Sequence, residues 1–255
     1  MEHVKIGIID SGVGGISIFK EVHKLLPSAD YYYFADDKNN PYGNKDRNDL
    51  LTFIDIAVKE LLTKDIDLII IACNTATAVA IDELRTKYST LFVGVEPFIN
   101  IINTSSELSR DDIKVGVLTT NLMKSEERFK FLLKKYDPQN KITHHVSSHL
   151  ALLVENWFYA DSKDKFKKKI EDELLPLKQF KYTHLILGCT HYPLIQDIIQ
   201  KTLNIKTICP SSGVARRVGF LLNNVYETDH YTSSILHFYS SKKNEWKELK
   251  ISKIP

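Results

Sequence analysis

Short, uninterrupted apolar runs alternate with longer amphipathic stretches along this chain, and this alternation restricts the possible folds more than any other feature. The apolar runs typical of strands are residues 5–10, 31–35, 67–72 and 91–95. The stretches with apolar side chains at helical spacing are residues 16–26, 50–62 and 75–87. Strands that lack polar alternation are buried on both faces, as in parallel sheets covered by helices. The sequence therefore predicts an α/β fold with mainly parallel sheets flanked by helices.

The same alternation starts again after Pro97, which predicts two similar α/β halves. The later strands are expected at residues 114–119 and 183–188, and the later helices at residues 124–136, 149–159 and 162–177. The strand-like residues 235–239 are expected to return to the first half. We therefore predict a first domain of residues 1–97 plus 209–255 and a second domain of residues 98–208.

Charge balance and apolar content exclude several classes of protein. The 255 residues include 34 Lys and Arg against 32 Asp and Glu, a balance that argues against a surface for nucleic-acid phosphates. The longest apolar runs are far shorter than the roughly 20 residues needed to cross a bilayer, so we expect no membrane span. The first residues lack the pattern of a signal peptide, and we expect a cytoplasmic protein.

Polar side chains follow five of the predicted strands. They are Asp10 and Ser11, Cys73 with Asn74 and Thr75, Glu96, Thr119 with Thr120, and Cys189 with Thr190 and His191. In open parallel sheets, ligands bind in the crevice at the carboxyl ends of the strands. We therefore expect these residues to line a ligand site.

Two loops rich in turn residues also follow strands. Residues 10–15 contain three glycines, whose backbone N–H groups could face an anion at a helix N-terminus. The loop matches neither a GxGxxG dinucleotide motif nor a P-loop, and a tight turn alone would also explain it. The second loop contains Pro41, Tyr42 and Gly43. It reads as a plain turn, although its N–H groups could bind a carboxylate.

Three cysteines, Cys73, Cys189 and Cys209, are too few and too widely spaced for a disulfide scaffold. Cys73 and Cys189 each lie between a predicted strand and a helix start, where the helix dipole favours a thiolate. Their separation excludes a CxxC redox pair, and a zinc site would need further ligands. A Cys–His hydrolase would leave Cys73 without a task. Cys209 lies outside both motifs, and we expect it to be structural.

Two thiols in matching positions suit one reaction in particular. One thiolate removes a proton from a carbon, and the other thiol returns a proton to the opposite face, which inverts the stereocentre. Asp10 could relay protons beside one thiol, and His191 could do so beside the other. This reaction requires neither a metal nor a coenzyme, so we expect no cofactor.

Four motifs taken together resemble the glutamate racemases of the aspartate/glutamate racemase superfamily. They are residues 9–15, 41–43, 72–76 and 188–194, and their order and spacing match as well. The resemblance implies a cofactor-independent enzyme that interconverts L- and D-glutamate, with the active site in the cleft between two pseudosymmetric α/β domains. It also implies a homodimer, whose product D-glutamate is used for peptidoglycan.

The resemblance implies site residues as well. The acid/base residues would be Cys73 and Cys189, with Asp10, His191 and Glu155 as helpers. The residues implied for binding a small acidic amino acid are Ser11, Pro41, Tyr42, Gly43, Asn74, Thr75, Thr120 and Thr190. The pattern around Glu155 lacks the proline usual in the family, and an exposed helical glutamate is the alternative.

This sequence departs from the family pattern around the substrate and not at the thiols. The segment of residues 94–97 is one residue short, and the loop before Pro41 has an unusual sequence. Leu122 or Met123 replaces a threonine expected to contact substrate. Aspartate or another acidic amino acid is therefore an alternative substrate. A binding protein on the racemase scaffold is a second alternative, and the intact thiol pair argues against it.

Overall fold

The computed structural model describes residues 3–110, 112–222 and 235–254. The strands are β1 (Lys5–Asp10), β2 (Asp30–Ala35), β3 (Leu68–Ile71), β4 (Leu91–Gly94), β5 (Val115–Thr119), β6 (Ile142–Val146), β7 (His184–Gly188), β8 (Lys206–Ile208), β9 (Ile235–Ser240) and β10 (Glu245–Lys250). The α-helices are α1 (Ile16–Leu25), α2 (Arg47–Leu62), α3 (Asn74–Lys87), α4 (Ile101–Thr104), α5 (Glu127–Tyr136), α6 (Leu150–Tyr159), α7 (Asp164–Leu174), α8 (Gln196–Leu203) and α9 (Ser211–Leu222). Short 3-10 helices cover Tyr42–Asn44, Leu122–Lys124, Leu175–Phe180, Tyr192–Ile195 and Ile251–Lys253.

The strands form two sheets. The first has six strands in the order β10-β9-β2-β1-β3-β4, and the second has four in the order β6-β5-β7-β8. All pairs are parallel except β9 with β10. We call the six-stranded sheet with its packed helices the first lobe, and the four-stranded sheet with its packed helices the second lobe. The predicted α/β fold with mainly parallel sheets is confirmed.

Helices cover both faces of the first sheet. Every residue of β3 is buried. Leu68 and Ile70 belong to one apolar cluster, whereas Ile69 and Ile71 belong to another. Successive strand residues point to opposite faces, so each face packs against its own set of side chains. This two-sided burial explains the uninterrupted apolar runs in the sequence.

The sequence analysis did not predict three of the strands, because they are polar or short. β6 reads Ile-Thr-His-His-Val and is only partly buried. β8 has three residues, and β10 reads Glu-Trp-Lys-Glu-Leu-Lys with mostly exposed side chains. β6, β8 and β10 are all edge strands. Charged residues on an edge strand prevent unwanted pairing with other chains. They also interrupt the apolar pattern from which a strand is predicted.

Two helices of the structure are shorter than the sequence predicted. The helix expected at residues 124–136 begins only at Glu127, because residues 122–124 form a 3-10 helix. The helix expected at residues 162–177 ends at Leu174 and continues as a 3-10 helix that contains Pro176. Proline removes a backbone donor from the helical ladder, which favours the change.

The C-terminal part of the described chain joins the first lobe. β9 pairs with β2, with Tyr33 opposite Phe238, and α9 packs against α1. The domain boundaries themselves stay a prediction. In the described residues, no helix has the length and apolar character to cross a membrane.

Candidate active site

The carboxyl ends of the two sheets meet, and hydrogen bonds join the lobes there. Thr190 Oγ1 donates to Asp10 Oδ2 at 2.9 Å. The backbone N–H of Val13 donates to Glu155 Oε2 at 3.0 Å. The hydroxyl oxygens of Thr75 and Thr120 lie 2.8 Å apart. Residues expected at strand ends from the sequence are therefore brought together.

Cys73 follows β3 and is the N-cap residue of α3. Its side chain is buried. Burial raises the pKa of the Cys73 thiol, and the charges of Asp10 and Cys189 add to this, whereas N–H groups of Ala76 and Thr75 lower it. The helix N-terminus favours a thiolate at Cys73, but desolvation outweighs the helix dipole there.

Cys189 follows β7 and begins a chain of polar contacts. Its Sγ lies 3.8 Å from His191 Nδ1, and His191 Nε2 lies 2.7 Å from Glu155 Oε2. Burial opposes a charge on the ring, but hydrogen bonds to Cys189 and Glu155 raise the pKa of His191 well above its usual value. A cationic imidazole beside a sulfur stabilises negative charge on it.

Asp10 ends β1 in a fully buried position. Its carboxylate accepts hydrogen bonds from the Gly12 N–H and the Thr190 hydroxyl, both at 2.9 Å. Burial raises the pKa of Asp10, although the nearby charge of His191 and these hydrogen bonds lower it. The charge of Asp10 raises the pKa of Cys73, so this carboxylate lies in electrostatic range of that thiol.

Glu155 lies on α6 and is 7% exposed. The alternative of an exposed helical glutamate does not hold. Its Oε2 accepts hydrogen bonds from the Val13 N–H and faces His191. Glu155 therefore connects the glycine loop of the first lobe to the Cys189 side of the cleft.

The glycines of residues 10–15 leave space for this network. All of the chain's glycines are described, and none has a positive φ, so a left-handed backbone conformation is not the reason for them. A Cβ at Gly14 would lie 2.6 Å from His191 Nδ1 and 2.7 Å from Thr190 Oγ1. A Cβ at Gly12 would collide with the Glu155 carboxylate. The lobes can approach this closely only where a side chain is missing.

The loop before α2 brings Tyr42 and Gly43 to the second lobe. It follows a cis bond between Asn40 and Pro41. Tyr42 and Gly43 are buried. A Cβ at Gly43 would collide with the Thr120 side chain, so this loop too lies at the junction of the lobes.

Two asparagines have buried polar atoms without partners. Both amide atoms of Asn74 are buried and unpaired, as is Asn40 Oδ1. Buried polar groups normally find partners, so these atoms are available to a ligand. Asn40 was missed by the sequence analysis, although its position after a predicted strand was a usable signal. Ser11 is buried beside Asp10.

Of the residues that depart from the family pattern, two pack in apolar clusters and one is paired with an arginine. Met123 is buried in the core of the second lobe. Leu122 packs against an apolar cluster of the first lobe. Glu96 accepts a hydrogen bond from Arg128 Nε at 2.5 Å.

All three cysteines are free, and Cys209 lies 3.1 Å from the Ser211 hydroxyl, measured from Sγ to Oγ. Across residues 3–110, 112–222 and 235–254, no cluster of three or more His, Cys, Asp or Glu side chains could hold a metal ion. The described site therefore offers two thiols with different neighbours: Asp10 for Cys73, and His191 with Glu155 for Cys189.

Comparison with known sequences identifies the family. The sequence model described as Asp/Glu/Hydantoin racemase matches residues 6–217. The chain belongs to this racemase family. Racemases invert a stereocentre, so the chain is an amino-acid racemase, an isomerase.

Individual relatives agree with this family over nearly the whole chain. A glutamate racemase of Halothermothrix orenii is 36% identical over 250 residues, which cover 97% of this chain and 96% of the relative. The crystal structure of Escherichia coli glutamate racemase with L-glutamate and the activator UDP-MurNAc-Ala has a TM-score of 0.81 at 26% identity, covering 94% of this chain and 89% of that one. The structure of glutamate racemase from Francisella tularensis with D-glutamate has a TM-score of 0.75 at 27% identity and the same coverage of both chains.

Proposed function

We propose that this racemase interconverts L- and D-glutamate by proton transfer between two thiols. The observation that carries the proposal is the pair Cys73 and Cys189. Each is buried at the carboxyl end of a strand, and each has a different ionisable neighbour. Relatives named glutamate racemase, and structures holding either glutamate enantiomer, support the choice of substrate.

The two thiols take different roles in the proposed reaction. Cys73 holds its proton because burial raises its pKa. Cys189 faces the cationic ring of His191 and takes the role of thiolate. Cys189 breaks the Cα–H bond and forms an S–H bond, and the carbanion then takes the proton of Cys73 on its other face. The product leaves Cys73 as thiolate and Cys189 as thiol, ready for the reverse reaction.

Proton relays restore the starting state. His191 and Glu155 exchange protons with Cys189, and Asp10 does so with Cys73. Asp10 suits this role because burial raises the pKa of its carboxyl, which makes the carboxylate a stronger base.

The remaining polar groups bind the two carboxylates and the ammonium group of the substrate. Candidates at the cleft are Ser11, Asn40, Pro41, Tyr42, Gly43, Asn74, Thr75, Thr120 and Thr190. Fixed donors stabilise the negative charge that develops on deprotonation, because they need no reorganisation. The unpaired amide of Asn74 follows Cys73 directly and suits this purpose.

Solvent exchange tests the proposal. In deuterated water, L- and D-glutamate should each gain deuterium at Cα while optical activity decays. Loss of optical activity without deuterium would contradict direct deprotonation. Binding of glutamate without any exchange would favour a binding protein instead.

Aspartate or another acidic amino acid is the second candidate substrate. Met123 and Leu122 supply no hydroxyl where the family resemblance implies a threonine. Polarimetry on pure enantiomers of glutamate and aspartate decides between them by kcat/KM. The supply of D-glutamate to peptidoglycan, a homodimeric assembly and a cytoplasmic location stay predictions.

A further inference from the structure

A second buried carboxylate, Asp36, lies outside the proton-transfer machinery. It directly follows β2 and is 3% exposed. It forms no ion pair within the described part of the chain. Instead it accepts hydrogen bonds from the Asn39 amide at 2.9 and 3.0 Å, the Tyr42 hydroxyl at 2.7 Å and the Ser241 hydroxyl at 2.7 Å. A buried charge that is stabilised only by neutral donors is costly unless those donors are held in place.

One of these donors fixes the loop proposed to bind substrate. The Tyr42 ring is 1% exposed and belongs to the apolar cluster that contains Cys73. Its hydroxyl is held by Asp36 at the far end. With ring and hydroxyl both fixed, the backbone N–H groups of Tyr42 and Gly43 have a fixed direction. Neither N–H donates a hydrogen bond within the described residues, so both are available to a carboxylate.

The other side of Asp36 is held by the turn between β9 and β10. The Ser241 hydroxyl that donates to Asp36 also accepts the Lys38 N–H at 3.0 Å. The Ser241 N–H donates to the Ala35 carbonyl at 3.0 Å. The turn thus supports the loop through the same carboxylate.

Neighbouring Asp37 has a different task. Its carboxylate accepts hydrogen bonds from the Ser240 hydroxyl at 2.6 Å and the Lys242 N–H at 2.9 Å. It has no hydrogen bond to Tyr42. The two adjacent carboxylates therefore differ in one respect that an experiment can use: both hold the turn, and only Asp36 holds Tyr42.

We propose that Asp36 is a positioning residue, which holds the Tyr42 phenol so that the N–H groups of Tyr42 and Gly43 are preorganised for a substrate carboxylate. The turn at Ser241 completes this support. The inference rests on the proposed function, because it assigns this loop to carboxylate binding. Preorganised donors lose less conformational freedom when the ligand binds. The resulting gain in binding free energy is the same for the substrate and for the transition state.

A double-mutant cycle tests the proposal by glutamate racemisation kinetics. The variants are Asp36→Asn, Tyr42→Phe and both together, with Asp37→Asn as the matched control. Asp36→Asn and Tyr42→Phe should each raise KM on the order of ten-fold with little change in kcat. Because both variants alter the same Tyr42–Asp36 contact, the double variant should raise KM by less than the product of the two single effects. Equal effects of Asp36→Asn and Asp37→Asn, or additive effects in the double variant, would overturn the proposal.

Amide hydrogen exchange of residues 40–46 provides a readout without substrate. Asp36→Asn and Tyr42→Phe should both speed exchange there by on the order of ten-fold, and Asp37→Asn should leave it unchanged. If the wild-type enzyme does not racemise glutamate, the proposed function fails while this measurement still tests the anchor. Unchanged exchange in folded Asp36→Asn would contradict the anchor itself. If Asp36→Asn fails to fold, Tyr42→Phe carries the same comparison with Asp37→Asn.

Discussion

The hydroxyl oxygens of Thr75 and Thr120 lie 2.8 Å apart, although the residues belong to different lobes. Thr75 lies in the first turn of α3, next to Asn74, and Thr120 follows β5. Both side chains are buried. One hydroxyl donates to the other in this pair, and a substrate carboxylate that replaces this hydrogen bond could take both as donors.

Thr120→Val should weaken substrate binding. It keeps the side-chain shape and removes the hydroxyl, so we expect KM to rise about five-fold, which corresponds to about 1 kcal/mol. Thr75→Val should act similarly, and the double variant should fall short of the sum. Thr52→Val, on the exposed part of α2, is the control and should leave KM unchanged. Equal kinetics for Thr52→Val and Thr120→Val would remove the hydroxyl pair from the binding site.

Either thiol alone should be insufficient for racemisation. Cys73→Ala and Cys189→Ala should each reduce kcat by about a thousand-fold, the range of a lost acid/base group. Cys209→Ala should retain activity, because this residue lies outside both motifs and its Sγ faces Ser211. Full turnover by either of the first two variants, measured by polarimetry with both enantiomers, would refute the two-thiol mechanism.

Glu155→Gln should shift the alkaline limb of the pH profile to lower pH. His191 has a raised pKa, partly because it is hydrogen-bonded to Glu155. Without this negative charge the ring loses its proton at lower pH, and with it the cation beside Cys189. We expect a shift of about one pH unit in kcat/KM. Glu173→Gln is the control, since Glu173 accepts a hydrogen bond from Ser147 and not from His191. An unshifted limb in Glu155→Gln would separate Glu155 from the titration.

Gly14→Ala should lower activity although alanine is a small residue. The added Cβ would press on His191 and Thr190, which moves the ring away from Cys189 or separates the lobes. We expect kcat/KM to fall about a hundred-fold, as small misplacements of catalytic groups can cause. A Cβ at Gly219 meets nothing within 4 Å. Gly219→Ala should therefore keep its activity and gain up to about 1 kcal/mol in unfolding free energy.

Arg128→Ala should destabilise the contact between the lobes. Arg128 lies on α5, and its Nη1 donates to Asp82 of α3 at 2.7 and 2.9 Å, while its Nε donates to Glu96. We expect a loss of about 1 kcal/mol in urea denaturation, smaller at high salt because Asp82 is exposed. Arg110→Ala removes a similar but exposed pair with Asp112 and should cost less. Equal losses for both variants would show that the link between the lobes adds nothing.

The sequence predicted the parts of the site that follow buried strands. Asp10, Cys73, Thr120 and Cys189 come directly after uninterrupted apolar runs. Parallel strands carry their loops to one edge of the sheet, so local pattern alone locates these residues. The same logic failed for three of the four edge strands, β6, β8 and β10, because their polar or short sequences lack the apolar signal.

Residues that reach the site from a helix or a turn were harder to predict. Glu155 and Asp36 are polar residues whose burial depends on packing between distant segments. The sequence shows the helix dipole at Cys73, but it does not show the desolvation that raises the pKa of this thiol. Asn40 lies in the loop that follows β2, so its place near the site agrees with the position of ligand sites at the carboxyl ends of parallel strands.

The pairing of β9 with β2 has a consequence for synthesis of the chain. The ribosome completes residues 5–94, which contain β1 to β4, long before it reaches Ile235. During this interval the outer edge of β2 has no neighbouring strand, and its unpaired backbone groups could join another nascent chain. The second sheet is built entirely from residues 115–208, so its strands are synthesised without such a long delay between neighbours. Premature termination before residue 235 should therefore yield aggregating fragments rather than a smaller folded protein.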